Sequence, residues 1–144
     1  MERVTVHIAT KDRHSECALL LQSLRTQTYQ KFDILIVDDA SGSPVSNCGF
    51  IMSLVNRIKF EGHKVRIIRN EMSYGVCFAR NMCIDQDTFK NYFTCRLDDD
   101  CIIEQDYLER LIYVIHCGYD LASGVIPLVM TPLFKIQIKS NGSS

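Results

Sequence analysis

Three consecutive carboxylates, Asp98-Asp99-Asp100, close a short β-prone run, Tyr92-Phe93-Thr94-Cys95-Arg96-Leu97. Beyond them Cys101-Ile102-Ile103 turns apolar again. Adjacent acids repel one another, and apolar flanks keep them from all escaping into solvent. A hard divalent cation such as Mg²⁺ or Mn²⁺ is a natural counter-charge for oxygens this close together. A solvated acidic turn, or an aspartate capping the next helix, would account for the same residues without a ligand. A second acidic pair, Asp38-Asp39, closes another apolar run, and the polar stretch Thr10-Lys11-Asp12-Arg13-His14 closes a third.

The elements that must position these clusters alternate along the chain. Val4–Ala9 reads as a first strand, followed by a helix from a Ser15 cap, with Glu16 in its first turn, to about Gln27. Leu20, Leu21 and Leu24 form its core stripe. Phe32–Val37 is nearly continuous in apolar residues, as a strand buried on both faces is. Ile51, Leu54, Val55 and Ile58 mark an amphipathic helix over about Ser46–Phe60. Val65–Arg69 is a third strand, and Ser73 could cap a third helix reaching about Gln86. Tyr92–Leu97 is the fourth strand. Leu108, Leu111, Ile112 and Ile115 mark a fourth helix, closed near Cys117-Gly118, and a fifth strand is expected over Leu121–Ile126. This alternation predicts an α/β fold with a mostly parallel, doubly wound sheet flanked by helices.

Composition narrows the function. The chain has 144 residues and a net charge of -1 with no long basic run, which gives no support for nucleic-acid binding. No apolar stretch is long enough to span a bilayer, and Met1-Glu2-Arg3-Val4 does not open a signal peptide. Seven cysteines, an odd number without a Cys-x-x-Cys pair, read as reduced thiols in a cytoplasmic protein. All three polar clusters follow strands. In open α/β sheets, ligands bind outside the carboxyl ends of the strands, so the clusters should meet at one edge.

Val4–Thr10 with Ile36–Ser41 resembles the opening of the family 2 glycosyltransferases, which have the Rossmann-like GT-A fold. Gly75 followed by Ala79-Arg80-Asn81 resembles the same family, and Leu97–Asp100 looks like its DxD motif. The match runs in order from about Val4 to Leu111. The resemblance implies a metal-dependent, hexosyltransferase-type enzyme that binds a nucleotide-diphosphate sugar, a UDP-sugar foremost, and passes the sugar to an acceptor. It implies that Ala9, Thr10, Asp12, Asp38, Asp39, Asn70, Gly75, Arg80, Asp98 and Asp99 meet the nucleotide. Asp12 stands where the family often has Asn. Asp98 and Asp100 are implied to hold Mn²⁺ or Mg²⁺, Asp100 most directly, and Asp39 to hydrogen-bond the nucleobase.

Each role has a structural counterpart. Asp38 could cap its turn, Arg80 could be a surface ion-pair partner, and Cys101 is a small hydrophobe rather than a ligand. His7 reads as structural and His14 as a weak site candidate. A nucleotidyltransferase would want a glycine-rich loop after the first strand, and a receiver domain would want its acid pair there. Neither is present. A truncated or degenerate nucleotide-sugar-binding domain without transfer activity is the other alternative.

Residues 1–144 are expected to form a single nucleotide-sugar-binding domain whose acceptor half is missing, because family members normally continue further. Leu121–Ser144 carries no Asp or Glu; Leu133–Lys139 alternates like a half-exposed strand, and Ser140–Ser144 reads as a frayed tail. Of the later acids, Glu104, Asp106, Glu109 and Asp120, none is placed as a general base, so the chain alone is expected not to transfer sugar at an enzymatic rate. Val125, Ile126, Leu128, Val129, Met130 and Phe134 should then be partly exposed, favouring a homo-oligomer.

Overall fold

A computed structural model describes residues 2–124. The elements run β1 (Val4–Thr10), α1 (His14–Arg25), β2 (Phe32–Asp38), α2 (Gly49–Phe60), β3 (Val65–Arg69), α3 (Val76–Asp85), β4 (Phe93–Asp98) and α4 (Tyr107–His116). A single 3-10 turn, Val45–Asn47, precedes α2. The sheet has the order β3-β2-β1-β4, and every pairing is parallel. The α/β doubly wound architecture is therefore as the alternation implies.

Side chains alternate across a strand, so each face collects its own helices. Val6 and Ile8 of β1 with Ile34 and Ile36 of β2 pack with Leu20, Leu24, Ile51, Val55, Ile58 and Leu108, from α1, α2 and α4. Leu35 and Val37 turn to the opposite face and meet Ala79 and Cys83 of α3. All of β2 is buried. The parallel register places Thr10 opposite Asp38 and Ala9 opposite Asp98, which brings three chemically loaded strand ends side by side.

Several boundaries differ from the sequence reading. α1 starts at His14 behind Arg13, with no side-chain cap, so Ser15 lies inside the first turn and does not cap it. Gly75, at φ +91°, stands at the N-cap of α3 in place of Ser73, whose hydroxyl is drawn to Asp39. β4 extends one residue further and takes in Asp98. Leu121–Gly124 is not a strand; the remainder of the expected fifth strand, the 133–139 alternation, the tail and the apolar residues from Val125 on lie outside the described residues. The seven cysteines are all free thiols. Burial pushes Cys17 and Cys95 up to about 12 and Cys83 up to about 11, so these three are inert packing groups.

Candidate functional site

A cavity of ≈ 530 Å³ opens at the carboxyl edge of the sheet. Its wall combines Ala9, Thr10, Lys11 and Arg13 after β1, and Asp39 after β2. Ser73, Gly75, Val76, Ala79 and Arg80 come from the start of α3, and Asp98, Asp99 and Asp100 from the end of β4. The three clusters separated in sequence are thus neighbours in space.

The acid triplet is not uniform. Asp98 and Asp100 side chains are 52% and 54% exposed, whereas that of Asp99 is 10% exposed. Thr10 donates its hydroxyl to Asp99 Oδ2 at 2.8 Å, a tie between two parallel strand ends. Burial raises the Asp99 carboxyl above the ordinary value; the Thr10 hydrogen bond and Arg13 offset this in part, while Asp100 and Asp98 add to it. Arg80 Nη2 reaches Asp98 Oδ1 at 2.6 Å, and Arg13 Nη1 reaches Asp100 Oδ2 at 2.8 Å. The two outer carboxylates therefore present oxygen to the cavity against one guanidinium each.

Asp38 and Asp39 do different work although they are adjacent. Asp38 is buried and accepts the N–H groups of Ser41 (2.9 Å) and Val45 (2.9 Å) and the guanidinium of Arg69 (2.8 Å). It organises the turn after β2 and is not among the residues that line the cavity. Ala40 at φ +58° makes the sharp change of direction after the pair. Asp39 faces the cavity, yet both of its oxygens are occupied. Asn70 Nδ2 (2.8 Å) and the Tyr74 N–H (3.2 Å) meet Oδ1, while Ser73 Oγ (2.8 Å) and the Gly75 N–H (3.1 Å) meet Oδ2. Burial alone would raise the Asp39 carboxyl, but these four donors outweigh it and hold the group below the usual carboxylate range.

Asp12 and Asn70 are likewise not among the lining residues. Asp12 Oδ1 accepts the Gly42 N–H at 2.6 Å, which ties the loops after β1 and β2 together. Asn70 is buried against Asp39. Ala9, Thr10, Asp39, Gly75, Arg80, Asp98, Asp99 and Asp100 are brought together as expected. Lys11, Arg13, Ser73, Val76 and Ala79 were not assigned site roles from the sequence; Arg13 and Lys11 could have been found from their place in the loop after β1. His7 pairs with Asp87 at 3.0 Å and His14 contacts the Ser43 carbonyl at 2.9 Å, and neither lines the cavity.

Among the described residues no group of three or more His, Cys, Asp or Glu side chains is assembled to hold a metal. The donor chemistry of the outer pair nonetheless fits a Mg²⁺- or Mn²⁺-type ion. Such ions use one or two carboxylates and take their other ligands from phosphates and water. Asp98 and Asp100 could supply those oxygens; Asp99, tied to Thr10, is the less available of the three.

The glycosyl transferase family 2 model matches residues 5–141. An uncharacterized glycosyltransferase of Haemophilus influenzae is 30% identical over 112 residues, 78% of this chain and 34% of that protein. The amylovoran biosynthesis glycosyltransferase AmsB of Erwinia amylovora is 30% identical over 95 residues, 66% of this chain and 30% of that protein. The chain thus spans about a third of the length of these relatives. S. aureus TarS 1–349, solved in complex with UDP, has the same fold at a TM-score of 0.64 and 20% identity, covering 79% of this chain and 32% of that one. A mannosyltransferase from Pyrobaculum calidifontis, in complex with GDP-Man and Mn²⁺, superposes at 0.60 with 21% identity, covering 77% of this chain and 31% of that one.

Proposed function

The chain belongs to glycosyl transferase family 2, and on that premise we propose that it forms the donor-binding part of a hexosyltransferase that uses a nucleoside-diphosphate sugar and Mn²⁺ or Mg²⁺. The observation that carries this reading is the convergence of Thr10, Asp39, Arg80, Asp98 and Asp100 on one cavity at the carboxyl edge of the sheet. A UDP-sugar is the first donor to test, because the TarS neighbour was solved with UDP-GlcNAc as well as UDP.

Each group has a task that follows from its chemistry. Asp98 and Asp100 would hold the cation, which when bound would offset the charge that the diphosphate gains as the glycosidic bond breaks. Arg80, at the cavity wall on α3, would face the same phosphates. Asp99 with Thr10 fixes the spacing of the β1 and β4 ends and offers an acceptor toward ribose hydroxyls. Asp39 sets the 70–75 loop through its four hydrogen bonds, and a nucleobase would compete with that loop for its oxygens.

Donor binding without transfer by the described residues is a second reading, favoured by the positions of the later acids. Glu104 and Asp106 pair with Arg110, and Glu109 accepts from Thr28. None of these, nor Asp120, lines the cavity, and a general base must come within hydrogen-bond reach of the acceptor hydroxyl. Among the described residues no helix is long and apolar enough to cross a membrane.

Titration calorimetry with UDP and GDP, in Mn²⁺ and in EDTA, tests the proposal. UDP should bind in Mn²⁺ and lose most of its affinity in EDTA. Equal binding in both would remove the cation from the account, and no binding in either would remove the donor.

A further inference from the structure

We propose that Arg13 is a positioning residue with two alternative partners: it neutralises Asp99 and Asp100 before donor binds, and it yields Asp100 to the divalent cation and pairs with the diphosphate afterwards. This rests on the donor-site reading above and assigns within it a residue that has no role there so far.

The position of Arg13 is not explained by the stability of its own helix. It is the N-cap residue of α1 and makes no capping hydrogen bond. An N-cap favours Ser, Thr, Asp or Asn, whose side chains satisfy the open N–H groups. A cation there also faces the positive end of the helix dipole. On helix energetics alone an arginine is a poor residue for this place. Its side chain instead runs to the cavity wall and meets residues 86 and 87 positions further along the chain.

The geometry suits exchange. Arg13 Nη1 lies 2.8 Å from Asp100 Oδ2 and 3.5 Å from Asp99 Oδ1, so one guanidinium nitrogen serves both carboxylates. The Arg13 and Asp100 side chains are each about half exposed, at 51% and 54%. A pair this open to solvent is weak and screened, so a divalent ion can displace it. Arg13 holds only Oδ2 of Asp100, and a divalent ion on the same carboxylate would stand within a few ångströms of the guanidinium, so charge repulsion sets the two against each other. Once displaced, a guanidinium held on the same wall still finds two phosphates, a partner that it can meet with two parallel hydrogen bonds. The neutralised acid triplet then costs the empty site less self-repulsion, and metal binding is coupled to nucleotide binding because the displaced guanidinium gains a new partner only when diphosphate is present.

The proposal predicts opposite signs for two affinities of R13Q. Mn²⁺ alone, followed by the electron paramagnetic resonance signal of the free ion, should bind R13Q about two- to fivefold more tightly than wild type, the range an exposed ion pair supplies. UDP in saturating Mn²⁺, followed by calorimetry, should bind R13Q about tenfold more weakly, as loss of a charge-assisted contact requires. R13K, which keeps the charge but not the planar fork, should fall between the two on both scales, and it carries the test should R13Q fail to fold. A purely structural Arg13 would weaken both affinities or change neither, and either result overturns the proposal. UDP binding by wild type that ignores Mn²⁺ would instead overturn the donor-site reading beneath it.

Discussion

At the amino end of the sheet, Asp33 is buried and its carboxylate receives Arg3 at 2.6 Å and 3.0 Å, Asn91 at 2.9 Å and the Lys64 N–H at 2.8 Å. At the carboxyl end, Asp98 and Asp100 stand about half exposed with one arginine each. The same side chain is therefore a saturated strut in one place and, on the proposal above, an exchangeable ligand in the other. What separates them is saturation. Four donors fill the Asp33 oxygens, and although burial alone would raise its carboxyl they hold it below the usual range. A carboxylate with lone pairs left over is the one available to chemistry.

The largest expected effect breaks the comparison at the amino end. Asp33→Ala strands the Lys64 N–H and leaves Arg3 only the Phe32 carbonyl and Asn91 only the Thr5 hydroxyl, and it should cost about 2–4 kcal/mol of stability in urea unfolding. A loss under about 1 kcal/mol would mean that Asp33 is no strut.

Much of this was legible in the sequence because parallel strands buried on both faces are written as apolar runs. Phe32–Val37 announces β2, and the polar residues that follow each such run must fall at the carboxyl edge. The convergence of Thr10, Asp39 and Asp98–Asp100 followed from that rule. The division of labour between Asp38 and Asp39 was not legible. It depends on the backbone turn at Ala40 and on donors from residues 69 to 75, some thirty positions away. The start of α3 was misread for the same reason: Ser73 has a capping residue's identity, but Asp39 claims its hydroxyl. The partners of Arg13 were equally hidden, since a loop arginine shows nothing of the acids it will meet.

Acid sharpens the contrast across several groups at once. Asp33, Asp38, Asp39 and Asp87 all sit below the ordinary carboxylate value, because hydrogen bonds outweigh the burial that alone would raise them. A lowered native value means that the stabilisation is complete above the unfolded value near about 4 and is lost as pH falls through the native one. Urea midpoints should hold steady from pH 7 to pH 5 and fall steeply below about pH 4. A flat profile down to pH 3 would show these groups to be uncoupled from folding.

Asp39 lies between the two extremes, buried and saturated like Asp33 but set in the cavity wall like Asp98. Asp39→Ala should cost about 1–3 kcal/mol of stability and weaken UDP binding by a similar amount, since the 70–75 loop loses its anchor. Unchanged UDP affinity together with lost stability would make Asp39 a strut alone. The smallest effect on folding belongs to Asp100→Ala, within about 0.5 kcal/mol of wild type by urea unfolding, as for other exposed positions. A loss as large as that of Asp33→Ala would erase the distinction between strut and ligand.

The most direct test of the account is where a paramagnetic ion binds. β1 is seven residues long, so the two ends of the sheet lie roughly 20 Å apart. In an amide NMR spectrum, Mn²⁺ added at substoichiometric levels with UDP should broaden Thr10 to Arg13, Asp39 and Asp98 to Cys101. It should leave Arg3, Asp33, Lys64 and Asn91 sharp, and Asp100→Ala should abolish the broadening. Broadening centred on the amino end, or unaffected by Asp100→Ala, would contradict the assignment of the carboxyl-edge acids as the cation site.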